Sequence, residues 1–188
     1  MVVAEHSLPL KNKKMTTLNF DEENKSIITL RTVTQSDQEG NEYLSTQGEE
    51  QRNKGQVELY FFSDEFEYST KPTREQINAL NFIKTNQKEL VEAFFKYTKE
   101  VLYPTHIEFI GYDEVAFPEI KNIEDLRKSL GLSEIHIWKE HKDEIAYVAF
   151  SFEFTGDFEH GVILILHQNK ILGWEEDLTN DKVLADME

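Results

Sequence analysis

Glu144-Ile145-Ala146-Tyr147-Val148-Ala149-Phe150-Ser151-Phe152-Glu153-Phe154 and Gly161-Val162-Ile163-Leu164-Ile165-Leu166-His167 are the two stretches that decide the fold. In the first, Ala146, Val148, Phe150, Phe152 and Phe154 alternate with Ile145, Tyr147, Ala149, Ser151 and Glu153. A period of two puts the first set on one face of a strand and the second set on the other. The second face turns polar toward its end. Gly161 to His167 is apolar on both faces, as a doubly covered strand is. Between them, Asp157-Phe158-Glu159-His160-Gly161 reads as the connecting turn, although a plain hairpin needs only two turn residues.

Outward from this pair the pattern continues as a β-meander. Ser133 to Lys139 reads as a strand, Glu140 to Asp143 as a turn, and Gln168-Asn169-Lys170 as the turn into Ile171 to Glu175. The acidic tail from Glu176 is expected to fray. Upstream, Thr73 and Gln76 form a capping box, with Glu75 in the favourable first turn. Ile77, Leu80, Ile83, Leu90, Val91, Phe94, Phe95 and Leu102 then recur at helical spacing, and Asn86 with Glu89 gives a second start signal. This predicts one kinked helix or two consecutive ones, ending before Pro104. Residues 104–121 read as irregular. A short helix follows, capped by Asn122, with Ile123, Leu126 and Leu130 as its apolar face and Gly131 as its stop.

Nearer the start, Val57 to Phe62 is a strand, and Met15 to Phe20 pairs with Ser26 to Val33 through a turn at Asp21 to Lys25. Residues 1–14 read as a loose leader, and Gln35 to Gln56 as a polar surface loop. The fold class is therefore α+β. It has an antiparallel sheet with a C-terminal β-meander, helices packed on one face and an N-terminal β-hairpin extension. Residues 57–188 form the core domain, and residues 1–56 extend it.

Composition narrows the function. The chain has no cysteine, which removes disulfides, zinc–thiolate sites and thiol nucleophiles. Its net charge is −16, from 36 acids against 20 bases, so it repels nucleic-acid phosphates and attracts basic proteins. The longest apolar run, Val162 to Leu166, is too short to span a bilayer. The first residues carry no secretory pattern, so a cytoplasmic location is expected. Phosphate loops, dinucleotide fingerprints and serine nucleophile elbows are missing.

Two constellations carry the candidate chemistry. Asp64, Glu65 and Phe66, with Glu67 and Tyr68, and then Tyr112, Asp113 and Glu114, with Phe117, mix acids and aromatics on loops. Such a mixture suits recognition of a basic protein, or else the loops are solvated and their aromatics tuck into the core. Asp157, Glu159 and His160 could ligate a divalent metal, with His167 as a further ligand, or could be structural. In the structural account Asp157 accepts from nearby amides, Glu159 and His160 pair with each other or with the sheet edge, and Gly161 supplies a positive φ or a close approach.

From Val57 onward the order of features resembles a bacterial family of uncharacterised α+β domains. The resemblance rests on Val57 to Phe62, Gln76, Phe94 to Tyr103, Tyr112 to Phe117 and the Asp157-x-Glu159-His160-Gly161 turn. It covers about two thirds of the chain and departs at Thr155-Gly156, where the family carries tryptophan. Members are associated with polymorphic toxin systems as immunity proteins. The resemblance implies a non-enzymatic binding protein that neutralises a toxin, with no cofactor. The alternatives are a metal-binding domain or metal-dependent hydrolase built on Asp157, Glu159 and His160, and a structural adaptor.

Overall fold

The computed structural model describes residues 18–34, 55–63 and 67–188. Among them six strands form one sheet in chain order: β1 (Ser26–Thr29), β2 (Gln56–Phe61), β3 (Leu130–Lys142), β4 (Ile145–Phe154), β5 (Asp157–His167) and β6 (Lys170–Glu175). All neighbours are antiparallel except β2 and β3, which run parallel. A parallel pair needs a long crossover, and here the crossover carries the helices. These are α1 (Arg74–Thr85), α2 (Gln87–Tyr97), a π-helical segment (Thr98–Leu102), α3 (Tyr103–Ile110) and α4 (Ile123–Leu126). The fold is α+β, as the strand and helix patterns require.

Leu80, Ile83, Leu90, Phe94 and Leu102 pack with Ile135, Ile137, Val148, Phe150, Phe152, Val162 and Leu164 in the main core. The predicted face of β4 is thus the face the long helices cover. Its second face carries a smaller cluster of Phe62, Trp138, Tyr147, Ala149 and Ile165, into which α5 (Asp181–Met187) inserts Val183. The acidic tail therefore ends in a docked helix instead of fraying.

Gln76 fastens helix to sheet. Its Oε1 accepts from the Thr73 amide at 2.8 Å, completing the capping box. Its Nε2 donates to the carbonyls of Phe62 (2.7 Å) and Ile137 (2.9 Å), across the parallel β2–β3 junction.

Several sequence expectations change. The helical run does not end before Pro104. The wide π-helical turn lies immediately before it, and Pro104 falls in the first turn of α3, where a missing N–H is tolerated. Residues 103–110 are consequently helical. Gly131 is not a helix stop, because α4 closes at Leu126 and Gly131 lies in β3. The β3–β4 turn is the two-residue Asp143-Glu144, both at positive φ (51° and 61°), the hairpin geometry that matches strand twist.

At the N-terminal edge β1 is shorter than Ser26 to Val33. The chain turns at 31–34, where Gln87 Oε1 accepts from the Thr32 and Val33 amides. Of the Met15 to Phe20 strand, the described part makes a single bridge, Phe20 to Ser26. The rest of that strand, the leader and the polar loop up to residue 54 lie outside the described residues. β1 nonetheless joins the core sheet through β2.

Candidate functional site

The β4–β5 end of the sheet brings together the Asp157 to Gly161 segment and the second half of the acidic–aromatic set, residues 112–117, whereas Tyr68 of the first half lies on Tyr60 and Phe62 beside β2. The β4–β5 connection is Thr155-Gly156, not Asp157 to Gly161. Phe154 pairs with Asp157 and Phe152 with Val162, so Phe158 to Gly161 bulge opposite the single residue Glu153. Asp157 Oδ1 accepts from the amides of Glu159 (3.1 Å) and His160 (3.0 Å). The His160 Nδ1 lies 3.3 Å from the Asp157 carboxylate, so His160 partners Asp157 and not Glu159. Gly161 has φ +70°, and a Cβ there would sit 2.4 Å from the Phe152 carbonyl oxygen. Both glycine requirements foreseen in the sequence apply at once.

The bulge borders an open cavity of about 390 Å³, lined also by Ser133, Ser151 and Glu153. Among the described residues no three His, Asp or Glu side chains are grouped as a metal ion would need. Of the other described histidines, His106 is buried edge-on against Phe154 at this end, and His136, His141 and His167 lie apart from it. His167 Nε2 sits against the carbonyl oxygens of Lys142 (2.9 Å) and Ile145 (3.2 Å). His136 is buried, bonded through Nε2 to Glu134 at 3.0 Å, and its ring is stacked on Tyr60. His141 is exposed, with its Nδ1 3.2 Å from the Lys139 carbonyl oxygen.

The acidic–aromatic loop is fixed to the same end. Thr155 Oγ1 donates to the Ala116 carbonyl at 2.6 Å. Phe117 is buried, edge-on to Tyr103 and close to Phe154. Tyr103 is hydrogen-bonded to Ser129, and burial pushes its hydroxyl up to about 12, so it is a neutral structural group. Asp113 shapes the loop by accepting from the amides of Val115 (2.8 Å) and Ala116 (3.0 Å). Phe117 therefore tucks into the core, while Tyr112, Asp113 and Glu114 stand exposed. The other half of the predicted acidic–aromatic set, Asp64, Glu65 and Phe66, lies outside the described residues.

Sequence reasoning missed Phe109, Ile110, Val115 and Phe158, all exposed at this end or in the bulge. A signal was present: apolar residues persist from Phe109 to Val115 through a stretch, 100–120, that contains no lysine or arginine.

No curated protein and no solved structure matches the chain. A family model does match, over residues 45–176, which span β2 to β6 and so contain the whole of this end. With more than half of its length so matched, the chain belongs to the family described as a domain of unknown function, DUF6985.

Proposed function

We propose that this is a cytoplasmic, non-enzymatic binding protein that neutralises a basic protein partner, in the manner of an immunity protein against a bacterial toxin. The observation that carries the reading is the loop of Tyr112, Asp113 and Glu114. It is exposed, aromatic and acidic, and it is held in shape by the Asp113 carboxylate and the Thr155 hydroxyl. A preshaped loop costs little order on binding, and its charge speeds encounter with a basic surface. The net charge of −16 acts in the same direction at longer range.

The test is affinity capture with the tagged protein from its native host, at low and at moderate salt. Recovery of one basic protein in near-equal amount, lost as salt rises, is the expected result. An acidic partner, or capture indifferent to salt, would count against the electrostatic reading.

A further inference from the structure

We infer that the partner docks on one continuous element, the last turn of α3 with the loop behind it. On this inference Phe109, Ile110, Tyr112 and Val115 are its apolar anchors, and the partner presents an apolar socket ringed by lysine or arginine. The inference rests on the binding reading above and names its surface.

Residues 108–115 are all exposed. Phe109, Ile110, Tyr112 and Val115 are 79%, 63%, 68% and 76% exposed, and the next most exposed large apolar side chain among the described residues, Phe158, reaches only 51%. Single exposed apolar side chains are ordinary. Four such exposures among the described residues fall within seven consecutive positions, and apolar exposure concentrated in this way points to an interaction surface.

The chain supports this patch from both sides. The α3 helix extends past Pro104, which carries Phe109 and Ile110 beyond the core that holds Tyr103 and His106. Gly111 ends the helix at φ +88°, and its amide donates to Ile107 O at 2.9 Å. Asp113 and Thr155 then fix the loop as described. Anchors on a rigid base lose little freedom on docking.

Charge selects the occupant. Glu108, Asp113 and Glu114 lie among the anchors and no lysine or arginine occurs within 100–120, while Glu100 and Glu119 at its ends are paired with Lys96 and Lys121. A second copy of this chain would bring the same acids against these and is disfavoured. A partner with basic side chains around an apolar recess fits both features: apolar anchors at the centre and charged groups at the rim.

The experiment places a photo-crosslinking phenylalanine analogue at Phe109, at Val115 or at Leu184, an exposed α5 residue that serves as the control. Each full-length variant is irradiated in native-host lysate. The captured protein is identified by mass spectrometry, purified and titrated. One basic protein crosslinked from 109 and 115 but not from 184 is the expected result. Phe109→Ser with Val115→Ser should then weaken its binding at least about tenfold with an unchanged thermal midpoint. Glu108→Lys with Glu114→Lys should slow association at low salt. Crosslinking from 184 alone, or wild-type affinity in the serine variant, overturns the surface while leaving a binding role intact. No crosslink from any position overturns the surface and the binding reading together.

Discussion

Gly161 satisfies two constraints that no other residue meets together. Its φ of +70° suits glycine, and a side chain would collide with the Phe152 carbonyl, which is main chain and cannot swing away. Gly161→Ala should therefore lower stability by about 2–4 kcal/mol, read as a drop in thermal midpoint. An unchanged midpoint would mean that the bulge relaxes freely. Asp157 and Gly161 were legible in the sequence because their roles are local, an amide-accepting carboxylate and a positive φ. Their placement inside a strand was not legible, since the register against β4 depends on residues elsewhere in the chain. Gln76 shows the same limit. Its capping box is readable from Thr73, but its bonds to Phe62 and Ile137 are not. Gln76 is 1% exposed. Gln76→Ala should cost about 1–3 kcal/mol, because the buried Phe62 and Ile137 carbonyls both lose the Gln76 amide and Ile137 keeps the Phe62 N–H at 2.9 Å. Gln76→Glu should cost more, because a carboxylate would face those carbonyls, and chemical denaturation at neutral pH should rank the pair in that order. Lowering the pH enough to protonate the new carboxyl should narrow the gap.

Among the elements, β4 and β5 were readable because strict alternation and a long apolar run leave few other structures. The π-helical turn and α3 were not, whereas the short α4 was, from its Asn122 cap. Pro104 ordinarily ends a helix, but here it follows a π-helical turn and falls in the first turn of α3, where its missing N–H is tolerated. The tail was misread for another reason: α5 offers one buried residue, Val183, and depends on charge to stay down. Asp186 holds Lys170 at 2.6 Å and Lys142 at 3.1 Å, and Tyr147 donates to it at 3.1 Å. Hydrogen bonds from Lys170 first, then Lys142, hold the Asp186 carboxyl well below the usual carboxylate range. A pKa depressed in the folded state stabilises the fold fully above the unfolded value of about 4 and progressively less as pH falls below it. Acidification from pH 7 to pH 3 should therefore lower the protection factors of the α5 amides in the wild type, once the intrinsic pH dependence of exchange is divided out. Asp186→Asn should show lower protection already at pH 7 and a smaller further fall on acidification. Equal pH responses in the two proteins would dismiss Asp186 as the clamp.

The whole molecule combines one crossover with a strong charge imbalance. The stretch between β2 and β3 makes the parallel pair and lays α1 and α2 on a single sheet face, which leaves the opposite face to α5 and a smaller aromatic cluster. The α+β class followed from the order of strand and helix patterns. The parallel pair did not, because nothing local in Val57 to Phe62 states which strand it joins. Charge is the other property of the whole. At −16 the folded chain repels itself, and the repulsion is screened over about 10 Å at ~0.1 M salt. Its exposed ion pairs, such as Arg74 with Glu144 at 3.1 Å, contribute little. Raising salt from about 0.01 M to 0.3 M should therefore raise the thermal midpoint of the free protein. The same change should slow association with the basic partner proposed above, because it screens the attraction that would steer the encounter. The two responses have opposite signs and one cause. A midpoint that falls with salt would show that the ion pairs, led by the Asp186 clamp, outweigh the net repulsion. The excess acid would then be held in stabilising pairs and less of it would be left to draw a partner.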